Sequence, residues 1–148
     1  MPATKTPAIT PLNHAIPILR VSDLRASLAY YVEQLGFQID WEHSSPFASV
    51  SRDRCSFFLC EGGQGHLGAW TWTGVDDVDV LCEDFRRRGA IIRHPPTNHD
   101  WGYEMQIADP DGNVLRFGAG RKPDLADGPW LDMDGREWTA TSEETETK

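Results

Sequence analysis

The sequence lacks a basic surplus, a long apolar run and a paired-cysteine motif, and each absence removes a class of function. Fourteen Lys and Arg stand against 23 Asp and Glu, a net charge of −9. The basic stripe that a nucleic-acid binder turns toward phosphates is therefore not expected. The same charge suits solubility and attracts cationic ligands. No apolar run reaches the roughly 18 residues that cross a bilayer, and Met1-Pro-Ala-Thr-Lys-Thr-Pro7 lacks the apolar segment of a signal peptide. A cytoplasmic protein with neither membrane nor nucleic acid as partner is expected. The three cysteines, Cys55, Cys60 and Cys82, have no CxxC spacing. Cys55 and Cys60 flank Ser-Phe-Phe-Leu and project to opposite faces of one strand, so reduced thiols are expected. Glu61-Gly-Gly-Gln-Gly65 is followed by no Lys-Ser/Thr pair, which removes a phosphate loop.

What is present begins with Trp101 to Gly118, which reads as two strands joined by Asp-Pro-Asp-Gly. Pro110 pre-sets its φ and Gly112 accepts the positive φ that closes a hairpin. Tyr103, Met105 and Ile107 alternate with Gly102, Glu104 and Gln106, which puts the Glu104 carboxylate on the face opposite the apolar one.

Taken in order, residues 1–13 carry three prolines and read as an N-terminal arm. His14 to Val21 is an expected strand, placed at an edge by Pro17, which cannot donate to a ladder. Ser22 is a candidate N-cap for a helix over 23–34, with Leu24, Leu28, Tyr31 and Leu35 as its apolar stripe and Gly36 as its end. Phe37 to Glu42 resumes as a strand, with Phe37, Ile39 and Trp41 on one face. A hairpin follows from Phe47-Ala-Ser-Val-Ser51 and Cys55 to Cys60. His66 to Thr73 is a further strand, Val75 to Arg88 a second helix, Ala90 to Arg93 a strand, and His94 to Asp100 a Pro/Asn loop.

These halves match. Val21-Ser-Asp-Leu corresponds to Val75-Asp-Asp-Val, Leu35-Gly-Phe to Arg88-Gly-Ala, and the hairpin at Phe47 to the one at Trp101, with a shift near 54 residues. An α+β fold of two paired βαβββ modules, 14–65 and 66–120, forming a cupped mixed sheet is expected. Residues 121–148 form an acidic C-terminal extension, four basic residues against eight acidic ones. Its Trp130 and Trp138 predict that 128–138 docks on the domain, while 139–148 stays loose.

The duplicated unit, with "RVSDLRASLAYYVEQLGF", "LGAWTWTGVDDVD" and "WGYEMQIADPDGNVLRF", resembles the vicinal-oxygen-chelate superfamily of glyoxalases, dioxygenases and bleomycin-resistance proteins. Within it, "FASVSRDRCSFF" and "AWTWTG" are most similar to the bleomycin-resistance binding proteins. The resemblance implies a divalent metal in enzymatic members, but its ligand positions fall on Ile16, Trp70 and Arg116 here, and an arginine repels a metal. No catalytic residue and no cofactor is expected. His14 and His66 with Glu104 are the one alternative metal set, of the kind that holds zinc or iron. For a binding protein the resemblance implies flat or cationic ligands stacked on aromatics. Trp41, Phe47, Trp70 and Trp101 would supply the aromatics, and Asp40 and Glu104 a negative field. It also implies a homodimer, strand-swapped through the edge strand at Pro17.

Three functions follow as expectations. The first is non-catalytic sequestration of a planar or cationic small molecule, as in bleomycin-like antibiotic resistance. The second is a metal-dependent lyase, isomerase or dioxygenase. The third is a relative in fold alone that takes another ligand.

Overall fold

The computed structural model describes residues 8–139. The first seven residues of the arm, and all but Thr139 of the segment expected to be loose, lie outside them.

Each half of the chain builds a four-stranded mixed sheet. The first half supplies β1 (Ile18–Arg20), α1 (Leu24–Ala29, continued by a π-helical turn over Tyr30–Gln34), β2 (Gln38–His43), β3 (Phe47–Arg52) and β4 (Cys55–Cys60). The second supplies β5 (Trp70–Gly74), α2 (Val78–Arg88), β6 (Ile91–Asn98), β7 (Tyr103–Ala108) and β8 (Val114–Ala119). The strand orders are β1-β4-β3-β2 and β5-β8-β7-β6. In both sheets the strand before the helix pairs in parallel with the last strand, and the other pairs are antiparallel. The duplication read from sequence is thus one of topology.

Helix boundaries are set by capping carboxylates. Asp23 rather than Ser22 caps α1, accepting from Ala26 N at 3.1 Å, and Asp77 caps α2 through Val80 N at 3.1 Å. The second helix therefore starts at Val78; the Val75 amide instead donates to Gly118 O at 2.9 Å, extending the β5–β8 ladder. Gly36 and Gly89 end the helical segments with φ of +76° and +81°.

Two strands depart from the expected pattern. The register of β2 against β3 shifts between Ile39 and Trp41, with Asp40 as the extra residue. Ile39 then opposes the buried Val50, whereas Trp41 opposes Ser49 on the other face. Trp41 therefore leaves the face that Phe37 and Ile39 occupy and packs with Phe47 and Phe58, at ring separations of 5.6 and 5.4 Å. The segment His94–Asn98, expected as a loop, is part of β6. Pro95 and Pro96 are tolerated because β6 is an edge strand whose register shifts on both sides of His94. The strands β1 and β5 are also shorter than expected, leaving His14 and His66 outside any strand.

One hydrophobic core spans both modules. Leu19, Tyr31, Phe37 and Phe57 of the first pack with Val78, Phe85, Met105 and Leu115 of the second. The Asp109–Asn113 turn ties the halves together. Asp109 accepts from Tyr31 Oη at 3.0 Å, from the Asp111 and Asn113 amides at 2.9 Å, and from Asn113 Nδ2 at 2.8 Å. Burial pushes the Asp109 carboxyl up even though these donors oppose it. Asn113 Nδ2 also reaches Arg20 O at 3.1 Å, and Asp111 Oδ1 accepts from the Ser22 amide at 3.0 Å. Tyr30 Oη donates to Ala108 O at 2.6 Å and accepts from the Ile91 amide at 3.0 Å; burial pushes its phenol up to about 12.

The extension docks on the second sheet. Asn98, 3% exposed, is its anchor: Nδ2 lies 2.9 Å from Lys122 O and 3.0 Å from Leu125 O, and Oδ1 accepts from the Lys122 amide at 2.8 Å. A short hairpin follows, β9 (Trp130–Leu131) with β10 (Glu137–Trp138), its indoles stacked at 5.9 Å. Its turn repeats the earlier one in detail. Asp132 Oδ1 accepts from the amides of Asp134 and Arg136 as Asp109 Oδ1 accepts from those of Asp111 and Asn113. Gly135 and Gly112 share a φ of +80°. Among the described residues no helix is long and apolar enough to cross a membrane.

Candidate ligand-binding site

The inner face of each sheet is spent on the core, so chemistry is left to the outer faces. On the second sheet, cross-strand neighbours Trp72, Arg116, Gln106 and His94 form one row across β5, β8, β7 and β6. Glu104 lies in the next row, opposite Gly118 and Thr97. The β9–β10 hairpin stands over one side of this face. Together they enclose a cavity of about 210 Å³ lined by Trp70, His94, His99, Trp101, Glu104, Gln106, Arg116, Trp130 and Leu131.

Glu104 organises the floor. One carboxylate oxygen accepts from Trp72 Nε1 and Trp101 Nε1, each at 3.1 Å. The other accepts from Arg116 Nε at 3.1 Å and Nη2 at 2.7 Å. Four donors saturate a carboxylate whose side chain is only 8% exposed. The approach requires glycine at 118, because a Cβ there would lie 2.9 Å from both Glu104 Cγ and Trp72 Nε1. The carboxylate therefore orients two indoles and a guanidinium instead of facing the cavity as a free charge.

A second network latches the hairpin. Arg93 lies over the Trp70 ring at 5.2 Å, donates to Gln106 Oε1, and reaches Asp132 O at 2.5 Å. Gln106 Nε2 donates to Leu131 O at 2.9 Å. His99 stacks on Trp101 at 4.5 Å and 8° between planes. Burial is the main cause that lowers the proton affinity of both His94 and His99, so both rings are neutral at neutral pH.

Of the residues proposed from sequence, Trp70, Trp101 and Glu104 meet in this cavity. Trp41 and Phe47 do not: they form a separate aromatic cluster with Phe58 on the outer face of the first sheet, Trp41 being 42% exposed. Asp40 is also on that sheet, held by Ser49 Oγ at 2.9 Å and Ser51 Oγ at 2.7 Å. Gln106 was readable from its alternation with Glu104. His94, His99, Trp130 and Leu131 were not singled out for the site, because only the edge-strand bulges and the docked hairpin bring them there.

The residues at the expected metal positions do not fit a metal. Ile16, Trp70 and Arg116 offer no ligating lone pair, and the Glu104 oxygens are saturated. His14 and His66 are exposed and lie outside the cavity that Glu104 lines. No cluster of three or more His, Cys, Asp or Glu side chains able to hold a metal occurs among the described residues.

Two βαβββ modules with one shared core and open outer faces define a duplicated α+β architecture. Residues 11–117 match the glyoxalase/bleomycin resistance protein/dioxygenase superfamily, and the chain belongs to it. The bleomycin-binding protein of bleomycin-producing Streptomyces verticillus, solved with copper(II)-bleomycin, is 26% identical. It aligns over 76% of this chain and 100% of its own, with a TM-score of 0.64. A glyoxalase/bleomycin resistance protein from Streptomyces sp. CB03234 is 25% identical over 71% of this chain and 100% of its own, with a TM-score of 0.58. TnmS3, an antibiotic binding protein from the same source, shares the fold at 24% identity and a TM-score of 0.64, over 77% of this chain and 100% of its own. No curated protein matches the chain.

Proposed function

We propose that the protein binds a planar small molecule and sequesters it unchanged, in the manner of a bleomycin-type resistance protein. The observation that carries this reading is a cavity walled by Trp70, Trp101 and Trp130 whose floor carboxylate is fully engaged by protein donors. Glu104 is left with no capacity to act as a base, while three indoles offer stacking worth about 0.5–1.5 kcal/mol each beyond the area they bury. Drug-sized ligands need roughly 300–1,000 Å³. A cavity of about 210 Å³ therefore takes one flat end of such a molecule.

The remainder of the ligand lies outside, and a second copy of the chain supplies its cover. The aromatic cluster of the exposed Trp41 with Phe47 and Phe58 on one outer face and Trp72, 57% exposed, on the other support a homodimer that pairs these faces. The metal-dependent alternative gains no support from the donor set.

Tryptophan fluorescence titrated with metal-free bleomycin and with simple fused-ring aromatics tests the reading. Saturable quenching lost in Trp70→Ala or Trp101→Ala is expected. Quenching by fused-ring compounds alone would remove bleomycin and keep the class; quenching by none would sink the proposal. Light scattering should return twice the chain mass, and stoichiometric divalent metal in the purified protein would favour an enzyme.

A further inference from the structure

The full charge still open in the cavity lining is of one sign, and it points to the chemistry of the ligand. Glu104 and Arg116 are the only residues of opposite full charge in the lining, and they are paired with each other. All four acceptor sites of Glu104 are taken, by Trp72, Trp101 and two nitrogens of Arg116. The Gln106 carbonyl accepts from Arg93, and its amide donates to Leu131 O. Nearby acids are committed as well: Asp127 to Arg121 and Asn98, and Asp132 to Trp138 and Arg136. Glu137 is exposed and outside the lining, and its charge acts on His94.

The donors are not all spent. Arg116 uses Nε and Nη2 on Glu104, while Nη1 has no acceptor among the described residues, and the side chain is 33% exposed where it lines the cavity. A guanidinium held flat by a carboxylate on one edge offers its other edge in a fixed direction. A cationic ligand entering here would meet this fixed positive charge and no open carboxylate in the lining. An oxygen-bearing aromatic would stack between indoles and set its oxygens against the free edge.

We propose that the cavity selects planar aromatic groups carrying an anionic edge, such as an aromatic carboxylate, over cationic ones, and that Arg116 is the residue that reads that edge. This deepens the binding reading above and rests on it. It also opposes what the net charge of −9 suggests, because the field of the whole surface and the hydrogen bonding of the pocket favour opposite signs.

The test uses the full chain and a matched pair of probes, 2-naphthoate and 2-naphthylmethylammonium, followed by calorimetry and tryptophan quenching. At moderate salt, naphthoate should bind at least tenfold more tightly. Arg116→Gln should erase or reverse that preference, and Arg116→Lys should retain part of it. Equal affinity for the two probes in the native protein, or tighter binding of the ammonium, overturns the inference and leaves an aromatic pocket standing. Failure of both probes to bind overturns the pocket as well. The native comparison decides the matter even if the variants are poorly folded.

Discussion

Replacing Asn98 with alanine should release the C-terminal extension from the second sheet without unfolding the domain. The side chain is nearly fully buried and spends itself on the extension: two donors on the carbonyls of Lys122 and Leu125, one acceptor on the Lys122 amide. At about 0.5–1.5 kcal/mol for each hydrogen bond, the loss amounts to about 2–4 kcal/mol of docking free energy. At 1.4 kcal/mol per tenfold, that is a roughly 30- to 1,000-fold larger open population. The Arg93 bond to Asp132 O and the Gln106 bond to Leu131 O remain, as does the Gly128 amide bond to Asn98 O at 2.8 Å, so docking is weakened and not abolished. Hydrogen exchange reads this directly. Amides of Asp132 and Arg136, and of Gly128, should lose protection by that factor, while Met105 and Ile107 in β7 keep theirs. The affinity for a planar probe should fall in parallel, since Trp130 leaves the cavity. Unchanged protection over 122–138 would show that the anchor lies elsewhere and refute the reasoning. Equal loss in β7 would show that the extension is part of the cooperative core.

Other perturbations probe the joints of the fold. Tyr31→Phe removes a buried hydroxyl from Asp109 and should cost about 1–3 kcal/mol in denaturant unfolding, as expected for a hydrogen bond to a buried acceptor. Gly118→Ala places a Cβ against Glu104 and Trp72 and should cost about 1–3 kcal/mol, with the Trp72 indole N–H resonance shifted as its bond to Glu104 breaks. His94 and His99 have folded proton affinities below the free-imidazole value near 6.5. The unfolded chain therefore binds more protons at mildly acid pH. Their contribution to stability is complete above about pH 6.5 and is lost as pH falls through the depressed folded values. Histidine C2–H titrations should place both midpoints below 6.5; a midpoint above it for either ring would contradict its burial.

The helices, the 109–113 turn and the duplicated order were legible because each rests on local chemistry: apolar stripes, the Gly36 and Gly89 stops, Pro110 and Gly112. The facing of Glu104 was legible from alternation alone. Its partners were not, since Trp72 and Arg116 lie 32 and 12 residues away and meet it only through sheet register. The bulge at Asp40 is a one-residue slip that no periodicity announces, yet it moves Trp41 from one face to the other. Pro95 and Pro96 read as a loop because the sequence does not reveal which strand is an edge. Trp130 suggested docking, but not where, because Asn98 and Gln106 become anchors only once β6 and β7 are paired.

The fastening of Ala108 to Tyr30, and of the Asp109–Asn113 turn to Tyr31, Ser22 and Arg20, has a thermodynamic consequence. A half-chain ending near residue 65 would expose Tyr31, Phe57 and Leu59 to water and leave both tyrosine hydroxyls without their acceptors. Neither copy of the repeat is an independent folding unit, and the chain should melt in a single transition. The symmetry of the halves survives in the strand order, the Asp23 and Asp77 caps and the Gly36 and Gly89 stops. One copy carries the pocket and the other braces it, through contacts that belong to the seam between them.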